Sequence, residues 1–151
     1  MNSSIKNLIL ILLVSLIGIA SIGQELTNGT ALNIKYGNTE KLEKFTSAEL
    51  INACVGVADS KKYNYLVISI KLKSMKSLKY FIEKGANIER VCVDKTPLMY
   101  AAKYGQLEMV KYLVEKGANL NTSFRGNKAL DYARQYNHHE IKKYLKEQKM
   151  Y

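Results

Sequence analysis

Thr96-Pro97-Leu98-Met99-Tyr100-Ala101-Ala102-Lys103-Tyr104-Gly105-Gln106-Leu107-Glu108-Met109-Val110-Lys111-Tyr112-Leu113-Val114-Glu115-Lys116-Gly117-Ala118-Asn119 is the stretch whose reading decides the fold. Thr96 is a good N-cap, and Pro97 suits the first helical position, where a missing N–H costs nothing. Ala101 and Ala102 are small enough to let a neighbouring helix approach. Gly105 accepts positive φ and breaks the helix. A second helix is predicted from Leu107 to Lys116, with Leu107, Val110, Leu113 and Val114 on one face, closed by Gly117 as a left-handed C-cap. Two short antiparallel helices with one apolar side cannot bury that side alone, so the unit implies copies of itself.

Copies follow at a period of 32 residues. Leu66, Leu98 and Leu130 fall in step, as do Ala101 and Ala133. Lys79-Tyr80, Lys111-Tyr112 and Lys143-Tyr144 repeat in the second helix, each followed by a glutamate (Glu83, Glu115, Glu147). Gly85-Ala86-Asn87 returns as Gly117-Ala118-Asn119, and Tyr100 and Tyr104 return as Tyr132 and Tyr136.

This unit resembles the ankyrin repeat. The family's T-P-L-H-x-A signature stands here as Thr96-Pro97-Leu98-Met99-Tyr100-Ala101, with the E-x-V-x-x-L tail and the G-A-N end also present. The resemblance implies an all-α fold, a solenoid of stacked antiparallel helix pairs with short hairpin loops. Met99 and Asp131 replace the usual His. The period is one short of the roughly 33 residues usual in the family, and the missing residue falls in the hairpin. Lys73 sits where Gly is expected, a strain of roughly 1 kcal/mol if it must be left-handed.

The expected organisation is a signal peptide over 1–23, a degenerate N-terminal repeat with an inserted helix over 24–63, repeats over 64–95 and 96–127, and a capping repeat over 128–151. Lys6 precedes an almost wholly apolar run, Leu8 to Ala20, and small residues follow, with cleavage expected after Gly23 or Ala20. That run is shorter than the roughly 20 residues that span a bilayer. An uncleaved N-terminal anchor is the alternative. Thr30 to Phe45 reads as a worn first copy. Thr46-Ser47-Ala48-Glu49 has capping-box form, and Leu50, Ile51, Cys54, Val57 and Ala58 continue at helical spacing, which predicts the inserted helix. Leu66 to Leu72 and Met75 to Lys84 are the helices of the next copy. In the last copy Asn137 takes the glycine position, and Glu140 to Lys149 is charged on its outer face, as a terminal cap should be.

No catalytic constellation stands out. His138 and His139 are adjacent rather than four apart, so they do not make a chelating pair, and His138 reads as structural. Cys54 and Cys92 lack the close spacing of a zinc site. They are expected as two separate small residues, with a disulfide as the alternative in an exported protein. No cofactor, metal or enzyme activity is expected.

The family resemblance carries partner binding to the hairpin tips and to the exposed ends of the first helices. Those positions are Lys35-Tyr36, Lys71-Leu72, Lys103-Tyr104 and Gln135-Tyr136, with the tips Arg90, Val93 and Lys95, and Phe124, Arg125 and Asn127. Tyr36, Tyr104 and Tyr136 are expected to line one groove with lysines beside them. Tyr and Arg anchor interfaces because they bury much area at modest entropy cost. The formal charge of +10 would steer an acidic protein partner, with no nucleic acid expected and membrane contact only through an uncleaved N-terminus. The alternative is an anionic polymer or envelope surface bound by the convex lysines Lys79, Lys111 and Lys143, against which stand the glutamates at i+4.

Overall fold

Residues 26–57 and 61–148 are described by the computed structural model; the predicted signal peptide, Met1 to Gly23, lies outside them. In chain order come α1 (Asn28–Tyr36), a 3-10 helix (Thr39–Phe45), strands β1 (Val55–Val57) and β2 (Lys61–Tyr63), then three helix pairs. The pairs are α2 (Tyr65–Lys71) with α3 (Met75–Glu83), α4 (Pro97–Lys103) with α5 (Leu107–Glu115), and α6 (Ala129–Gln135) with α7 (His139–Glu147). The chain is a stack of antiparallel helix pairs. Among the described residues no helix is long and apolar enough to cross a membrane.

Each first helix starts at a cap in the same register. The Asn64 Oδ1 accepts the Val67 N–H at 2.9 Å, and the Thr96 Oγ1 accepts the Met99 N–H at 3.3 Å. Lys128 occupies the cap position in the last pair and has no suitable acceptor, but the Asp131 carboxylate reaches back to the Lys128 N–H at 2.9 Å. Asp131 is one of the residues standing in for the family's His. Here it stabilises the helix start instead.

The first helices form the middle of the stack and are buried almost all round. Every residue from Tyr65 to Ile70 and from Pro97 to Ala102 is buried, as are Ala129, Leu130, Tyr132 and Ala133. Second helices bury one face only: Leu78 and Phe81 in α3, Met109, Val110 and Leu113 in α5, Ile141 and Leu145 in α7. Each large apolar side chain so buried stabilises the fold by roughly 1.5–3 kcal/mol before entropy is charged against it. The alternating pattern of the sequence and the observed cores agree because a stacked pair exposes its second helix to water and its first helix to neighbours on both sides.

Every turn between paired helices passes through a left-handed residue. Gly37 has φ 64°, Lys73 58°, Gly105 70° and Asn137 57°. The Val/Ile-rich segment before Lys73, which could be mistaken for a strand, is therefore the helix that register predicts. At Gly105 the glycine has a second reason: a Cβ there would lie 2.6 Å from Cε1 of His138. That imidazole packs on the turn, and its Nε2 lies 3.0 Å from the Lys103 carbonyl oxygen. A carbonyl only accepts, so Nε2 carries the proton. His138 ties the last pair to the one before it, the structural role expected of it.

The inserted helix expected over residues 46–58 does not form over the described part, 46–57. Ser47 to Asn52 makes short turns, with the Leu50 and Ile51 N–H groups both donating to the Ser47 carbonyl, and the pattern ends at Ala53. β1 and β2 then pair antiparallel, Val55 opposite Tyr63 and Val57 opposite Lys61. The physical reason is the β-branched pair Val55 and Val57 around Gly56, whose carbonyl also accepts the Leu26 N–H at 2.8 Å. Ile51 and Val55 enter the core from this non-helical path.

The hairpin route corrects the reading of the cysteines as well. Cys54 and Cys92 are joined in a disulfide, with Cα atoms 5.6 Å apart and a sequence separation of 38. Cys54 lies at the mouth of the β1–β2 hairpin rather than on a helix face, and Cys92 lies in the next hairpin along. Hydrogen bonds cross the same boundary: the Asn87 N–H donates to Asn52 Oδ1 at 2.7 Å, and Ser77 Oγ to the Ile34 carbonyl at 2.6 Å. The worn first copy is thus seated on the second by polar ties and a covalent one.

Two stability predictions follow from this architecture. Lys73→Gly relieves the left-handed strain and raises stability by about 1 kcal/mol, read as a shift in the denaturant midpoint at unchanged slope. Replacing both cysteines by serine removes a loop constraint worth about 3–4 kcal/mol in the chain-entropy account. Hydrogen exchange should then show residues 28–57 opening at lower free energy while α4 to α7 keep their protection; uniform loss across all pairs would contradict this picture.

Candidate functional site

The ends of α2, α4 and α6 bring their side chains to one face of the stack. Lys71 Nζ donates to Tyr104 Oη at 2.9 Å. The same ammonium lies 4.8 Å from the ring centre of Tyr63 and 5.1 Å from that of Tyr104. Lys103 in turn lies 5.8 Å from the Tyr104 ring and 5.4 Å from that of Tyr136. Tyr63, Lys71, Tyr104, Lys103 and Tyr136 therefore alternate as a ladder of rings and cations that crosses three successive repeats. Each contact is a cation–π interaction of roughly 0.5–1 kcal/mol at an exposed site.

The ladder rests on a buried platform. Tyr104 stacks on Tyr100 with ring centres 6.1 Å apart and an interplanar angle of 15°. Tyr63 meets Tyr100 edge-on at 5.6 Å. Tyr100 and Tyr63 are buried, whereas Tyr104 and Tyr136 remain 37% and 42% exposed, so Tyr104 is held from below and still faces solvent. Among the described residues neither Lys71 nor Lys103 has a carboxylate within ion-pairing distance; the ion pairs there are Lys95–Asp94, Lys111–Glu108 and Arg134–Asp131. Burial works against the charge on Lys71. The hydrogen bond to Tyr104 and the neighbouring Tyr63 outweigh that, and its pKa is held above the ordinary lysine value.

Of the residues expected at the site, Lys103, Tyr104 and Tyr136 come together in the ladder. Gln135 is exposed beside Tyr136. Lys35 and Tyr36 stand apart: Tyr36 is 72% exposed, and Lys35 lies over the ring of its own neighbour at 5.5 Å. The third tyrosine of the row is Tyr63 instead, carried by β2. Sequence reasoning misses it because the stretch before Asn64 reads as an inserted helix rather than as a strand. Leu72, beside Lys71, is half-buried against the core.

The hairpin between α5 and α6 ends in a two-residue turn. Phe124 and Asn127 exchange backbone hydrogen bonds at 2.9 and 3.0 Å, with Arg125 and Gly126 both at positive φ, 50° and 78°. This is the pattern of a type I′ turn. Arg125 is exposed and its guanidinium lies 5.2 Å from the Phe124 ring. Phe124 itself is half-buried.

Its underside covers Lys95, and Lys95 was also expected as an exposed tip. The Lys95 side chain is only 11% exposed, paired with Asp94, with the rings of Tyr100, Phe124 and Tyr132 at 5.6, 5.6 and 5.3 Å from its ammonium. Asp94 Oδ1 accepts from Tyr100 Oη at 2.8 Å. Burial raises the Asp94 carboxyl, but hydrogen bonds from Lys95 and Tyr100 outweigh it and hold its pKa below the usual range. Burial and the Asp94 carboxylate together push the Tyr100 hydroxyl well above its ordinary value. Glu89 does parallel work outside this cluster, accepting the Asn119 N–H at 2.8 Å and the Thr122 hydroxyl at 3.3 Å. The tips are braced against one another, so Arg125 and the exposed Val91 and Val93 are offered on a preformed edge.

A family model for ankyrin repeats, in three copies, matches residues 66–150. The chain belongs to the ankyrin-repeat family. A search of curated proteins finds no significant match. Ankyrin repeats generally bind protein partners and are typically binding modules rather than catalysts. In this ankyrin-repeat protein the disulfide also occupies both cysteines, so neither is a free thiol for metal binding or nucleophilic attack. Among the described residues no three His, Cys, Asp or Glu side chains gather as a metal-binding group.

The Asp94–Tyr100 contact makes stability pH-dependent on both sides of neutrality. Asp94 is depressed in the fold, so its contribution is present above the unfolded carboxylate pKa near about 4 and is lost as pH falls through the folded value. Tyr100 is raised, so its contribution is present below the unfolded phenol pKa near about 10 and is lost as pH rises above it. Tyr100→Phe should cost about 1.5 kcal/mol at neutral pH and flatten the alkaline limb of a plot of unfolding free energy against pH. An unchanged alkaline limb would mean that Tyr100 does not carry it.

Proposed function

We propose that this ankyrin-repeat chain is exported and holds a protein partner on its concave face and hairpin tips, without catalysis. The observation that carries the reading is the Tyr63–Lys71–Tyr104–Lys103–Tyr136 ladder, in which Tyr104, fixed from below, and Tyr136 remain open to solvent beside cations with no carboxylate within ion-pairing distance among the described residues. An aromatic surface already ordered before binding loses little entropy on docking. Tyr104, Tyr136 and Lys103 form its centre. Arg125 and Phe124 contribute at the neighbouring tip, and Gln135 at the far end; Lys35 and Tyr36 make a separate exposed point on the first repeat.

Export is supported by two independent features. The first is the order of charges, apolar run and small residues over Met1 to Gly23. The second is the Cys54–Cys92 bond, since disulfides persist in oxidising compartments such as the periplasm or the extracellular space. The alternative of an anionic polymer on the convex lysines has less support. Lys79 lies 5.4 Å from the Tyr112 ring, and Lys111 pairs with Glu108 at 3.2 Å rather than with the Glu115 expected from i+4 spacing. Either way these cations are partly engaged.

Capture from the envelope fraction of the native organism, with the full chain and its Tyr104→Ala/Tyr136→Ala form as paired baits, tests the groove. A protein held by the first and lost by the second at moderate salt is the expected result. Equal capture by both baits, eluting with a steep salt dependence, would overturn the groove in favour of the basic surface.

A further inference from the structure

Lys71 and Lys103 both contact one ring, that of Tyr104, at 5.1 and 5.8 Å. They leave successive first helices of a stack whose packed helices sit roughly 8–10 Å apart, so the positions that carry them recur at roughly that spacing. Tyr104 Oη already accepts from Lys71, which leaves the phenol's own proton to donate outward. Beyond Lys103 the same helix position is Gln135, exposed and uncharged. The row therefore reads cation, cation, amide, with tyrosine faces between.

A ligand strand must match that period with side chains on one side. A β-strand repeats each face every second residue, at roughly 6.6 Å, and misses it. A polyproline II segment has three residues per turn and rises about 3.1 Å per residue, so every third side chain falls on one face at roughly 9.3 Å. Aromatic-lined grooves suit this conformation because it is already extended and its carbonyls are open to donors. Resting on the groove reading above, we infer that the concave ladder binds an extended, polyproline II-like acidic segment of a partner protein. Asp or Glu at two positions three residues apart meet Lys71 and Lys103, and a polar residue three further on meets Gln135.

The probe is a fluorescein-labelled synthetic peptide of Glu-Pro-Pro units, compared by anisotropy with an isomer of the same composition whose glutamates are contiguous. Added to the full chain, the spaced peptide should bind at least about tenfold tighter than the isomer. Lys71→Met and Lys103→Met should each weaken it about five- to tenfold, Lys71→Arg and Lys103→Arg should restore most of the binding, and Lys111→Met and Lys143→Met should leave it unchanged. Matching thermal melts identify variants that remain folded, and the arginine forms keep the test decisive where a methionine form does not.

Equal affinity for the two isomers overturns the inference. So does equal or tighter binding of a helical peptide with glutamate on every second turn, or displacement by polyphosphate that the convex substitutions weaken as much as the concave ones. Failure of the spaced peptide alongside continued Tyr104/Tyr136-dependent capture of a native protein removes the acidic segment and leaves the groove. Failure of both removes the groove itself.

Discussion

A pair of short helices with one apolar side must find a second pair to cover it, and the rest of this molecule depends on that obligation. Tyr65 to Ile70 and Pro97 to Ala102 are buried on every side, which is attainable only when a pair lies before them, another after, and their own second helices behind. Alanine at 101, 102, 129 and 133 is what lets those inner helices come close. The left-handed turns at Gly37, Lys73, Gly105 and Asn137 belong to the same requirement, because each pair has to reverse in the least possible length. The stack tolerates Lys and Asn at two of these turns because the cost of roughly 1–2 kcal/mol for a left-handed side chain is small against the apolar area each pair buries.

Stacking also fixes the chemistry of the concave face. Once the inner helices are held at one spacing, residues at the same position of each copy fall into a row, and a row of Lys and Tyr becomes a ladder rather than scattered surface groups. Tyr100 connects the two levels. Its ring supports Tyr104 and Tyr63 from beneath, while its hydroxyl donates to Asp94 beside the enclosed Lys95. The packing that holds the hairpin tips is thus continuous with the packing that orders the exposed rings. The first repeat lacks these supports. It relies on the Cys54–Cys92 bond and on Asn52 and Ser77 for its seat.

Much of this was legible from residue types at a fixed spacing. Helix positions, inward faces, the strained Lys73, the role of His138 and the partnership of Lys103 with Tyr104 and Tyr136 all follow from local propensity and register. What failed was the segment between the first two copies. Its apolar residues fit a helical period as well as a hairpin, and a short apolar run does not distinguish them. The error then propagated: a helix hid Tyr63 from the groove and kept Cys54 away from Cys92. Lys95 misled for another reason. A lysine in a polar hairpin is normally solvated, and nothing local shows that three rings from different elements will close over it.

By itself, then, the order of residues determined the repeating helix pair, its caps and turns, and the identity of the side chains that stacking would place in a row. These depend on contacts within about four residues and on a period that any copy shares with the next. Only the tertiary structure decided which residues complete the row, which cations are enclosed and which stay open, and that the two cysteines meet. Those outcomes depend on distances between hairpins far apart in sequence, set by how one pair settles on another, and no local spacing encodes them.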